Sequence, residues 1–175
     1  MSNLGDREAS SLLTEDEIAQ LIGLPKVIVN QAPSAGYSEG DNHRRGHLDL
    51  QGKSDPSLRF SVFIRQNMTF IENYSIGLRY HSGISMLGTI TIMRYNGPHG
   101  ETSQTPDGHF AQPHIHRITA SELASGSSHP QERARYLTNR YSTFEEALAA
   151  FIEDTAILED ARLQALLQRR LFNGS

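Results

Sequence analysis

The sequence predicts an α+β fold: an antiparallel sheet of about four strands, arranged as a meander, with an N-terminal helix and C-terminal helices packed on it. Three observations predict it. The middle of the chain alternates apolar and polar residues with the period of a strand. Both ends carry helix-capping signals followed by apolar residues at helical spacing. The order is strands first and helices afterwards, which suits helices on a sheet face rather than βαβ units.

The first element is a helix from about Thr14 to Gly23. Thr14 and Glu17 have capping-box spacing, Leu13 can staple onto Ile18, and Pro25 ends the helix. A short apolar stretch, Val27 to Val29, reads as a strand. Residues 30–57 are turn-rich, with Pro33, Gly36, Gly40, Gly46, Gly52 and Pro56, and hold one brief alternation at His47 to Leu50. Leu58, Phe60, Val62 and Ile64 then alternate with Arg59, Ser61, Phe63 and Arg65. Tyr74, Ile76, Leu78 and Tyr80 alternate with Ser75, Gly77, Arg79 and His81. Leu87 to Arg94, rich in Thr and Ile, and Ile115 to Thr119 complete the four. Residues 120–140 admit a short helix around Arg133 to Leu137. Ser142 and Glu145 repeat the capping spacing, ahead of Phe144, Leu148, Phe151, Ile152 and Thr155. A second stripe follows at Leu163, Leu166, Leu167 and Leu171.

The 175 residues fit a single domain, with 1–11 expected to be flexible and 158–175 expected to form a C-terminal helix able to contact a protein partner. The absence of cysteine excludes disulfides, a thiolate nucleophile and Cys-ligated metals. No apolar run approaches the roughly 20 residues needed to cross a bilayer. The first residues lack a basic stretch followed by an apolar one, so a cytoplasmic protein is expected. No P-loop, G-X-G-X-X-G, G-X-S-X-G or H-E-X-X-H pattern occurs.

Charge is unevenly spread. The net charge of −4 comprises −4 in residues 1–57, +2 in 58–119, −5 in 120–160 and +3 in 161–175; all five bases of 58–119 are Arg. Anion binding must therefore be local. Five of the eight histidines lie between 81 and 116. His114 and His116, one residue apart on a strand, point to one face about 6–7 Å apart. Arg65, Arg79 and His81 occupy alternate, non-core positions and can share that face. His exchanges protons near neutral pH, and Arg holds phosphate in a bidentate fashion. This suits metal-independent cleavage of RNA with the 2′-hydroxyl as nucleophile. His114 and His116 are the expected general base and acid, assisted by His99, with Arg79, Arg94 and Arg65 on the phosphate. No cofactor is favoured. In the alternative, His114, His116, His99 and His109 ligate a divalent metal such as Zn, Fe or Mn.

The block Arg94-Tyr95-Asn96-Gly97-Pro98-His99, then Pro106-Asp107-Gly108, then Pro113-His114-Ile115-His116 resembles an uncharacterised family of small bacterial proteins, a domain of unknown function. The resemblance spans roughly residues 12–157, taking in the strands that carry Arg65 and Arg79 and the helix from Phe151 to Ile157. More loosely, the block is similar to the TumE toxin family of toxin–antitoxin modules, where it reads Arg-Tyr-Asp-Asn-X-Pro-His-His and Pro-His-His-Lys-His. Here Gly100 stands in place of the second His, and the insert at 102–112 is longer. The first resemblance implies no activity; the second implies a toxin-like, RNA-directed role. The expected function is a toxin-like protein acting on nucleic acid. The rival is a non-enzymatic protein-interaction module of antitoxin-like, phage-encoded or regulatory type, supported by the acidic 120–160 segment and the amphipathic tail.

Overall fold

The computed structural model of the chain describes residues 12–29, 38–84, 87–98, 112–131, 135–161 and 163–164. In chain order these form α1 (Glu15–Gly23), β1 (Lys26–Ile28), β2 (Ser38–Gly40), β3 (His43–Gly52), β4 (Arg59–Asn67), β5 (Tyr74–His81), β6 (Thr89–Asn96), β7 (His114–Arg117), α2 (Ala120–Ala124), β8 (Arg135–Leu137) and α3 (Phe144–Asp154).

The four-stranded sheet is overturned. One antiparallel sheet of eight strands runs β1-β3-β4-β5-β6-β7-β8, with β2 beside the other end of β3. The class remains α+β, but the sheet is seven strands across where four were expected. The largest correction lies in the segment read as turns. Asp41 and Asn42, with φ of 50° and 58°, make a two-residue hairpin turn of the type that matches sheet twist. That turn starts β3, which pairs along nearly its whole length with β4, from His43 opposite Asn67 to Gln51 opposite Arg59. The helix expected around Arg133 to Leu137 is also overturned. Residues 135–137 form β8 against β7, placing His116 opposite Arg135.

Each helix opens on a capping box. Thr14 Oγ1 accepts from the Glu17 amide at 3.3 Å, and Glu17 Oε2 accepts from the Thr14 amide at 2.8 Å. In α3 the pair is Thr143 with Glu146, one residue beyond the expected Ser142 and Glu145. Most of the second leucine stripe lies outside the described residues.

The sheet has an apolar and a polar face. On the apolar face Phe60, Val62, Ile64, Tyr74, Ile76, Leu78, Ile90 and Tyr95 join Ile18 and Leu21 of α1 and Phe144, Leu148 and Phe151 of α3 in one buried core. Phe144 and Phe151 meet Tyr74 and Tyr95 edge-on, with ring centroids 5.5 Å apart in both pairs. Each ring is held at the distance that favours edge-to-face contact. Tyr95 also donates a hydrogen bond to Asp154, which Arg140 grips with two guanidinium nitrogens at 2.5 and 3.0 Å.

Lys26 is fully buried. Its Nζ donates to the carbonyls of Ile22, Leu24 and Thr155 at 2.7, 2.9 and 2.9 Å, and lies 4.9 Å from the Phe60 ring centroid. The ammonium thus satisfies carbonyls at the ends of α1 and α3 that have no partner within their helices. Burial lowers its pKa to about 7.

Candidate functional site

Register decides which side chains share the polar face, because directly opposed residues point the same way. One row across the strands reads His47, Phe63, Gly77, Arg94, His116 and Arg135. The next row towards the Asn96 end reads Arg45, Arg65, Ser75, Asn96, His114 and Leu137. On the other side lie Asp49, Ser61, Arg79 and Thr91, then Gln51, Arg59, His81 and Thr89. Six Arg and five His, counting His43 opposite Asn67, therefore stand on one face. Among the described strand residues the sole acid there is Asp49, 2.7 Å from His47. Burial grows across the sheet. Arg45, Arg59 and Arg65 are exposed, Arg79 and Arg94 are half-buried, and His114 and His116 are 0% exposed.

A bulge brings Arg94 to this face. The ladder between β5 and β6 pairs Leu78 with Met93 but Arg79 with Thr91, so Ile92 is an extra residue. Strict alternation from Ile90 and Ile92 would send Arg94 into the core; the extra residue re-phases the strand and turns it outward.

Arg79 and Arg94 meet at a cleft of about 490 Å³ lined by Phe63, Arg79, Thr89, Thr91, Arg94, Ser128 and His129. Its far wall is tied to the sheet by the Thr91 amide, which donates to the Ser128 carbonyl at 2.8 Å. The floor depends on Gly77. A Cβ there would lie 2.2 Å from Cε1 and Cζ of Phe63, so only glycine lets the ring cross β5. The Arg79 guanidinium carbon sits 4.5 Å from the centroid of that ring, within the range of a cation–π contact.

Beside the cleft, His81 is fixed by Thr89 Oγ1 at 3.1 Å on Nδ1 and Ser61 Oγ at 2.9 Å on Nε2. Burial pushes its pKa down; Arg79 and His47 push the same way, and Asp49 opposes them. Arg65 lies away from the cleft. Its guanidinium donates to His43 Nε2 at 3.0 Å, while His43 Nδ1 faces the Asp41 carbonyl at 2.7 Å. That arrangement fits the tautomer protonated on Nδ1.

The His114 and His116 rings are edge to face, with centroids 5.0 Å apart. His114 Nδ1 faces the Gln112 carbonyl at 2.8 Å, and Asn96 Nδ2 lies 3.3 Å from His114 Nε2. Asn96 Oδ1 in turn accepts from Ser75. That arrangement fits the tautomer protonated on Nδ1. His116 Nδ1 lies 3.3 Å from the Gln131 carbonyl. From the apolar side, the buried Tyr141 hydroxyl donates to the His114 carbonyl at 2.9 Å and lies 3.2 Å from that of Asn96.

The face thus holds His114, His116, Arg65, Arg79 and Arg94, with Arg79 and Arg94 at one cleft and Arg65 apart. His99 and His109 lie outside the described residues, and among the described residues no three His, Asp or Glu side chains are grouped to hold a metal. Sequence reasoning gave no role to Phe63, Thr91, Ser128 or His129. The chain leaves one signal for Phe63, an aromatic residue at a polar-phase position of β4; the loop residues leave none. No helix among the described residues is long and apolar enough to cross a membrane. Comparison with known proteins finds no family model, no curated protein and no solved structure that matches the chain.

Proposed function

We propose that the protein binds nucleic acid, RNA in the first place, through its phosphates on the polar face of the sheet. One observation carries this reading: six Arg, with His43, His47 and His81 at least partly exposed, stand on one face whose sole described strand acid is Asp49. With strands about 4.8 Å apart, the row from His47 to Arg135 spans about 24 Å, enough to follow several phosphates. A net charge of −4 for the chain does not oppose this, since the field near the face is set by the charges on it.

Fluorescence anisotropy with a labelled RNA oligonucleotide tests binding. Affinity should fall steadily with rising salt, and replacing Arg79 and Arg94 together by Ala should weaken it about tenfold or more while reducing the salt slope. Absence of binding at low salt, or equal affinity for the double variant, refutes the proposal.

A further inference from the structure

We infer that the cleft between the sheet and Ser128–His129 is a nucleotide pocket, so that the protein takes single-stranded rather than duplex RNA, one base being stacked on Arg79. The inference rests on the nucleic-acid reading above and specifies the ligand of the same face.

Three features point to a base in addition to a phosphate. First, the cleft, at about 490 Å³, has the size of a small-molecule site and far exceeds what a phosphate fills. A duplex would lie across such a hollow without entering it. Second, Phe63 lies across β5 where Gly77 leaves room, and the Arg79 guanidinium rests on its ring at 4.5 Å. A phosphate site needs only the charge. An arginine held against an aromatic ring keeps its place there, both groups line the cleft, and guanidinium planes and aromatic rings are the surfaces on which unpaired bases stack. Third, the remaining lining is suited to the rest of a nucleotide. Arg94 supplies a second cation for the phosphate, and the hydroxyls of Thr89 and Thr91 can bond to sugar or base edges. Apolar support, a planar cation, a phosphate-binding cation and neutral donors thus converge within one residue-sized hollow.

The test is calorimetric titration of the full chain with adenosine 5′-monophosphate and with inorganic phosphate, and anisotropy with a ten-nucleotide RNA, single-stranded and as a blunt duplex. The monophosphate should bind about tenfold tighter than phosphate, and the single strand about tenfold tighter than the duplex. Arg79→Lys keeps the charge but loses the planar fork. It should bring the preference for the monophosphate over phosphate close to one and shrink the single-strand preference. Lys53→Gln, exposed in the β3–β4 connection, should leave both ratios unchanged.

Equal affinities for monophosphate and phosphate, with RNA still bound, reduce the cleft to an anion site and overturn this inference alone. So does a duplex bound as tightly as the single strand, or a preference that survives Arg79→Lys. If no RNA binds, the inference and the reading beneath it fall together.

Discussion

Replacing Gly77 by alanine isolates the contact on which the cleft floor depends. The added methyl would sit 2.2 Å from two carbons of Phe63, against about 3.5–4.0 Å for an ordinary carbon contact. The ring must retreat by about 1.5 Å or swing off the sheet. Overpacking of this kind costs about 1–3 kcal/mol, whereas alanine in place of glycine within a strand returns about 0.5–1 kcal/mol of backbone entropy. The net loss should be about 1–2 kcal/mol, read by urea unfolding at constant m-value. The decisive comparison is the same substitution in a Phe63→Ala background. With the ring gone, the methyl has room, and Gly77→Ala should become neutral or slightly stabilising, a coupling of about 1.5–2.5 kcal/mol. RNA affinity should fall in Gly77→Ala as well, because Arg79 loses its support. An equal cost for Gly77→Ala in both backgrounds would refute the account of the floor.

Three further outcomes are expected. Lys26→Met should lower stability by about 2–3 kcal/mol at neutral pH, because it strands the carbonyls of Ile22, Leu24 and Thr155 in the interior; thermal unfolding unchanged within 1–2 °C or so would contradict the assigned bonds. His81 has a folded pKa below its unfolded value of about 6.5. The unfolded chain therefore binds the proton first, and this residue's stability contribution, full above pH 6.5 or so, is lost as pH falls through that window. A stability–pH profile of His81→Gln should be flatter there than that of the parent, and superimposable profiles would count against the burial described. Tyr141→Phe removes the hydroxyl that ties the His114 carbonyl to the core and should cost about 1–2 kcal/mol. Nuclear magnetic resonance should also show shifted His114 ring signals, and unmoved signals would show that the tie does not reach the site.

Much of the polar face is legible in the chain because β4 and β5 alternate without interruption. Arg59, Arg65, Arg79 and His81 follow from a period of two alone. The i, i+2 spacing likewise puts His114 and His116 together. What is not legible depends on partners distant in sequence. His43, Arg44 and Arg45 fall within the segment read as turn-rich, since nothing local makes three adjacent polar residues a strand; only the Asp41–Asn42 turn and the length of β4 extend β3 to His43. Arg94 is a sharper case. A strict period places it with Ile90 and Ile92, and its true direction is set by a bulge defined only in the pairing with β5. The burial of His114 and His116 has no local signature, because burial is a property of the assembled sheet. The cleft depends on Thr91 pairing with Ser128, a contact of 37 positions that no motif announces.

The extra residue at Ile92 also sets where the chain can change length. Losing one residue from β4 or β5 would invert everything beyond the cut, sending arginines inward and leucines or isoleucines to water. Removing Ile92 has the opposite character: Thr91, Met93, Arg94 and Tyr95 would then alternate without a break, and each would keep its present side. Variants shortened at this point should therefore fold, with a straighter β6 and a narrower hollow beside Thr91, whereas single deletions elsewhere in the central strands should not. Natural length variation in such a sheet would be tolerated first at the bulge.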